Sequence, residues 1–133
     1  MGYNMSETVN FLLVEDDQFS VDFFRLYVST TGFKNPIFRA SNGIEALEIL
    51  RGQNNRRKIP EPYIVFLDLD MPEMNGIELL KILRNDECLK NTTVYILTGS
   101  SNDIDVQTAY SLNVAGYFLK KDIKSLIASL MKT

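Results

Sequence analysis

Tyr63-Ile64-Val65-Phe66-Leu67-Asp68 is the stretch that decides how this chain folds. Its first five residues are aromatic, β-branched or aliphatic without alternation, which describes a strand buried on both faces, and a carboxylate ends the run. Such a strand belongs to a parallel sheet covered by helices, because only that arrangement hides both faces. The same grammar recurs along the chain. Val9-Asn10-Phe11-Leu12-Leu13-Val14 stops at Glu15-Asp16-Asp17, and Thr93-Val94-Tyr95-Ile96-Leu97 stops at Thr98. Pro36-Ile37-Phe38-Arg39-Ala40 is a shorter strand, and the run Ala115–Leu119 stops at Lys120.

Helical segments separate these runs. Phe19, Phe23, Leu26 and Tyr27 recur at helical spacing ahead of Thr31-Gly32, where glycine suits a C-terminal cap. Ile44, Ala46, Leu47 and Leu50 form the apolar face of a second helix, and a third runs from Ile77 to about Asn85. Asp103 to Leu112 makes a fourth, and Ile123–Met131 closes the chain with Ile123, Leu126, Ile127 and Leu130 inward. Gly52 to Pro62 is polar and proline-bounded, a loop that is long for an α/β connection. Strict alternation of five strands and five helices predicts an α/β fold, a parallel sheet with helices on both faces. Ligands in such sheets bind outside the carboxyl ends of the strands, near the topological switch point.

Composition narrows the function classes. A chain of 133 residues has room for one ordinary domain, read here as a single unit over 1–133 with its core at about 9–131 and a flexible lead at 1–8. Histidine is absent and Cys88 is the sole cysteine, which excludes His-based triads, thiolate zinc sites and a disulfide framework. A reducing cytoplasmic setting is the simplest expectation. A net charge of −3 argues against nucleic-acid binding through phosphate neutralisation, and Arg56-Arg57-Lys58 reads as a solvated loop. No apolar stretch is long enough to span a membrane, and no signal-peptide segment opens the chain. Gly2 and Ser6 fit the spacing of a myristoylation signal, a pattern frequent by accident, and Met5 offers an alternative start.

The strand ends carry the chemistry. Glu15, Asp16 and Asp17 follow the first strand, Asp68 the third with Asp70 two residues on, Thr98 the fourth and Lys120 the fifth. Carboxylates, a hydroxyl and an ammonium would therefore converge on one edge of the sheet. Clustered carboxylates repel unless a cation sits among them, and a hard divalent ion such as Mg²⁺ suits oxygen donors where phosphate is handled. An Asp oxygen can then act as nucleophile toward phosphorus, with Lys120 and Thr98 serving the phosphoryl oxygens. Each residue also has a plainer use. Asp17 caps a helix, Thr98 caps the following turn, and Lys120 is a solvated strand-end charge.

Taken together, Leu12-Leu13-Val14-Glu15-Asp16-Asp17, Leu67-Asp68-Leu69-Asp70-Met71-Pro72, Asn75-Gly76, Leu97-Thr98-Gly99-Ser100 and Gly116-Tyr117-Phe118-Leu119-Lys120 resemble the signature of response-regulator receiver domains. The likeness runs from about Val9 to Met131, with 30 positions from Asp68 to Thr98 and 22 from Thr98 to Lys120. It implies a flavodoxin-like, doubly wound five-stranded parallel sheet of strand order 2-1-3-4-5. It further implies that Asp68 is the phosphoacceptor and Asp16 a direct Mg²⁺ ligand. Glu15 would act on the metal mostly through water, and the Asp70 backbone carbonyl would complete the site.

By the same resemblance, Thr98 and Lys120 sense the phosphoryl group and Tyr117 is the switch aromatic. Phosphorylation would draw Thr98 toward Asp68 and let Tyr117 move inward, changing the surface of the fourth helix, fifth strand and fifth helix. The implied partners are a sensor histidine kinase or phosphotransfer protein upstream, and a downstream target or a second copy on that surface. Ile104, Tyr110 and the exposed side of Ala115–Leu119 are the candidate contacts, with core packing as their alternative use. The family's proline after the lysine is here Lys121, so either this loop differs or a costly non-proline cis bond stores strain there. The long Gly52–Pro62 loop and the Thr-Gly-Ser-Ser run resemble the single-domain regulators of phytochrome-type sensor kinases.

Two other classes compete. Asp68-Leu69-Asp70 also matches the nucleophile motif of haloacid-dehalogenase-type phosphatases, but there the acidic metal pair follows the nucleophile in a longer chain. A receiver-like module that no longer takes phosphate is the other alternative. Such modules usually lose the acceptor, the acidic pair or the lysine, and none of these is missing here.

Overall fold

Asn10–Val14 (β1), Ile37–Ala40 (β2), Tyr63–Leu67 (β3), Val94–Thr98 (β4) and Gly116–Leu119 (β5) form one parallel sheet in the order β2-β1-β3-β4-β5. The computed structural model describes residues 8–71, 73–99 and 102–131. The Gly2/Ser6 pattern, nearly all of the expected flexible lead, Pro72, Ser100 and Ser101 lie outside these described residues. The order reverses between β1 and β3, which puts the switch point where the strongest apolar runs end. Register pairs Val14 with Leu67, so Glu15 and Asp68 leave the sheet side by side.

Gln18–Thr30 (α1) and Ile123–Met131 (α5) cover one face, packing Val21, Phe24, Val28, Ile123, Leu126, Ile127 and Leu130 onto Phe11, Leu13, Ile64 and Phe66. Phe66 centres that layer, with the rings of Phe11 and Phe24 at 5.0 and 5.2 Å. Gly43–Arg51 (α2), Gly76–Arg84 (α3) and Asp103–Ser111 (α4) cover the opposite face around Leu12, Val14, Val65, Leu67 and Ile96. Asparagines start three of the helices. Asn42, Asn75 and Asn102 each accept from backbone N–H groups of the first turn, and Asn75 with Glu78 completes a capping box.

Two helix faces differ from the sequence expectation. In α1 the inward residues are Val21, Phe24 and Val28, whereas Phe19 is 79% exposed and Phe23 and Leu26 also face outward. α1 carries apolar residues around most of its girth, so local spacing does not choose a face; the sheet does. In α2, Ile44 is likewise exposed and Ile49 is buried instead. The inward set expected for α5 is the one found.

The Gly52–Pro62 loop is tied down along its length. Gly52 ends α2 in the left-handed region at φ +69°. Ile59 is buried and donates its N–H to the Ile49 carbonyl, and Asn10 Nδ2 donates to the Pro60 carbonyl at 2.8 Å. Arg56, expected to be solvated, pairs with Glu45 at 2.7 Å and Glu48 at 3.1 Å. After β5, residues Lys120–Asp122 make one 3₁₀ turn into α5. The cis peptide among the described residues is Glu61–Pro62, so the bond after Lys120 is trans and the loop differs from the family's pattern there.

Candidate functional site

Asp68 lies at the carboxyl end of β3 and is 3% exposed. Its carboxylate is fully engaged. Oδ1 accepts from Thr98 Oγ1 at 2.8 Å and from the Asp70 N–H at 3.1 Å, while Oδ2 accepts from Lys120 Nζ at 3.3 Å. Gly76 makes this seat possible, since a Cβ there would meet the Asp68 carbonyl oxygen at 2.5 Å and Leu69 Cα at 2.7 Å.

Glu15 is the second buried acid, 2% exposed at the end of β1. Its Oε1 pairs with Lys120 Nζ at 2.9 Å, and its Oε2 accepts the Asp17 N–H at 3.2 Å. Asp16 is exposed, yet one oxygen from each of Glu15, Asp16 and Asp68 lies within 4.8 Å of the others. Three hard oxygen donors at that spacing fit a divalent cation, which would relieve their mutual repulsion.

Electrostatics agree with that geometry. Burial pushes the Glu15 carboxyl up to about 7, opposed by the Lys120 hydrogen bond and assisted by the charge of Asp68. For Lys120, burial alone would lower its pKa, but the Glu15 hydrogen bond and the charges of Asp68 and Glu15 outweigh it and raise it. Lys120 therefore stays an ammonium, and Glu15 is the carboxyl whose charged form burial and the neighbouring Asp68 charge disfavour.

A family model described as the response regulator receiver domain matches residues 11–131. The chain belongs to this family. Response regulator Rcp1 of Synechocystis is 30% identical over 116 residues, spanning 86% of this chain and 79% of that protein. The structure of the Mn²⁺-bound form of Rcp1 superposes with a TM-score of 0.80 at 28% identity, covering 92% of this chain and 91% of Rcp1. That of the phosphorylated cyanobacterial phytochrome response regulator RcpA gives 0.78 at 26% identity, covering 85% and 81%. The expected likeness to phytochrome-associated regulators is thus what these relatives display.

Of the residues expected in the receiver's site, Glu15, Asp16, Asp68, Thr98 and Lys120 come together around one point. Asp70 contributes its backbone N–H to Asp68. Asp17 is the N-cap of α1, the plainer of its two readings, and two hydrogen bonds from Ser20 hold its carboxyl below the usual carboxylate range. Tyr117 on β5 is half-buried; burial first, then the charges of Asp105, Asp68 and Asp70, raise its hydroxyl pKa. Thr98 ends β4, where the register pairs Ile96 with Leu67, and its hydroxyl donates to Asp68 Oδ1 at 2.8 Å.

Two residues escaped the sequence reading. Arg39 on β2 donates from Nε to the Glu15 carbonyl at 3.2 Å and from Nη2 to the Asp16 carbonyl at 3.1 Å, clamping the acidic loop. Ser20 Oγ accepts from Lys120 Nζ at 3.2 Å across 100 residues of sequence. Nothing local marks either one. Their only signal is the position of β2 beside β1 and of α1 beside α5, the helix that follows Lys120. Beside Lys120 opens a cavity of about 240 Å³ whose walls include Phe19, Phe23, Leu97 and Ile123.

Proposed function

We propose that this receiver accepts a phosphoryl group from a phosphohistidine of a partner kinase or phosphotransfer protein onto Asp68, in a reaction that needs Mg²⁺. The carrying observation is the Asp68 carboxylate, buried yet satisfied at both oxygens by Thr98, Lys120 and the Asp70 N–H. A buried anion held by three donors is in place before its partner arrives, as an electrostatically preorganised site requires. One Asp68 oxygen forms the new O–P bond as the donor's N–P bond breaks, and the imidazole leaves with its electron pair. Lys120 and the Thr98 hydroxyl then face the phosphoryl oxygens. Mg²⁺, when held by Asp16, Asp68, Glu15 and the Asp70 carbonyl, supplies neutralisation of the charge that develops on phosphorus-bound oxygens.

Output passes through α4, β5 and α5. Ile104, 73% exposed, and Tyr110, also exposed, project from α4, which supports a partner-facing use over core packing. That surface would meet a downstream protein or a second copy of the chain. Phosphorylation draws Thr98 toward the phosphoryl group on Asp68, and Tyr117 moves inward into the space that this leaves. The unit that acts is the single receiver formed by residues 9–131. Among the described residues no helix is long and apolar enough to cross a membrane, and we place the protein's work in the cytoplasm.

Intact mass after incubation with acetyl phosphate, with and without Mg²⁺ and beside Asp68→Asn, tests the reading. One phosphate adduct that requires the metal and vanishes in the variant is expected. No adduct in folded, metal-supplemented protein would replace this function with a constitutive binding module. Continuous turnover of small phosphate esters would indicate a phosphatase.

A further inference from the structure

Lys120 Nζ has three N–H donors, and the structure offers three acceptors: Glu15 Oε1 at 2.9 Å, Ser20 Oγ at 3.2 Å and Asp68 Oδ2 at 3.3 Å. Two are carboxylates that also belong to the cation-binding group. The third is a neutral hydroxyl. Ser20 sits in the first turn of α1, where its O–H and N–H donate to Asp17 Oδ2 at 2.8 and 3.1 Å. With its proton committed to Asp17, the hydroxyl presents a lone pair to the ammonium, and the carboxylate behind it strengthens that acceptor.

The acceptors differ in what a divalent cation does to them. A metal among Glu15, Asp16 and Asp68 draws on two of the carboxylates that hold Lys120 and repels the ammonium by its own charge. Left with those two partners alone, a flexible lysine side chain would swing toward water, away from the place where the phosphoryl group arrives. Ser20 lies outside the cation-binding group, and its bond to Lys120 is not weakened by that competition.

Resting on the receiver reading of the site, we propose that Ser20 is a positioning residue that holds Lys120 over Asp68 once a metal engages the acidic cluster. Its partner in this role is Asp17, which fixes the direction of the hydroxyl. Removing the hydroxyl therefore matters most in the metal-loaded protein, which separates this role from a general contribution to packing.

The test uses the full chain as wild type, Ser20→Ala and Ser20→Thr. Alanine keeps the N–H that bonds Asp17, so the start of α1 survives the change. Nitrogen-15 NMR of the lysine ammonium groups, with the Lys120 signal assigned by Lys120→Arg, is followed through a Mg²⁺ titration. In wild type and Ser20→Thr the Lys120 signal should stay distinct from the exposed lysines at saturating Mg²⁺. In Ser20→Ala it should merge with them, and the initial rate of labelling by acetyl phosphate should fall about tenfold, with Ser20→Thr near wild type. A Lys120 signal in Ser20→Ala that stays at its wild-type position at saturating Mg²⁺ overturns the proposal, as do equal labelling rates. If wild type itself fails to label, the receiver reading falls, and the lysine signal still decides whether Ser20 anchors Lys120.

Discussion

Thr98 Oγ1 donates to Asp68 Oδ1 at 2.8 Å, a fully buried bond between the ends of neighbouring strands. It links the acceptor to the strand that pairs with β5, and through β5 to Tyr117. Thr98→Ala should cost about 1 kcal/mol of stability, since Asp68 Oδ1 keeps the Asp70 N–H. Labelling of Asp68 should persist while the Tyr117 ring signals no longer respond to it. Proton NMR of the labelled and unlabelled variant checks this, and a full Tyr117 response in Thr98→Ala would remove Thr98 from the switch.

Glu15 gives the metal-free protein a pH dependence. Its pKa is raised from 4.5 to about 7 in the folded state, burial being the main cause. A group held protonated more tightly when folded contributes stability that is complete below pH 4.5 and is lost as the pH rises through about 7. Relative to Glu15→Gln, the wild type should therefore lose on the order of 3 kcal/mol across that interval. Denaturant unfolding of both proteins at pH 4.5 and pH 8 without metal measures the difference. Parallel pH profiles would show that Glu15 titrates normally.

Because the charge of Asp68 helps to raise Glu15, Asp68→Asn should lower the Glu15 midpoint toward the ordinary carboxylate range. Carbon-13 NMR of the Glu15 carboxyl reads this directly. An unmoved midpoint would mean that burial alone sets it.

Gly76 tolerates no side chain where it packs on the Asp68 carbonyl oxygen and Leu69 Cα. Gly76→Ala must shift backbone and not merely a flexible side chain, so a loss of about 2 kcal/mol is expected, with slower labelling at Asp68 because the seat itself moves. Thermal melts and labelling rates decide. A variant equal to wild type in both would show that α3 can retreat at no cost.

Arg39 holds the Glu15 and Asp16 carbonyls. Its removal in Arg39→Ala frees the acidic loop, and Mg²⁺ affinity should weaken about tenfold, as outer supports of metal sites commonly require. Isothermal titration with Mg²⁺ provides the number. An unchanged affinity would leave the loop's shape to the Glu15–Ala40 backbone bond and the α1 cap alone.

What the sequence determined by itself is the alternation of buried strands and helices, and the chemistry standing at each strand end. Both are local. An unbroken run such as Tyr63–Leu67 can be buried only as a covered strand, and Asp68, Thr98 and Lys120 declare themselves by ending such runs. Inward Ile123, Leu126, Ile127 and Leu130 were legible for the same reason, because α5 has one apolar face. The tertiary structure alone decided which side of α1 goes in, leaving Phe19, Phe23 and Leu26 outside, since a helix apolar on several sides takes its orientation from what it packs against. It alone also brought Ser20 to Lys120 across 100 residues and Arg39 to Glu15 across 24. Those contacts depend on which strands and helices become neighbours, a property of the β2-β1-β3-β4-β5 order that no local run of residues carries.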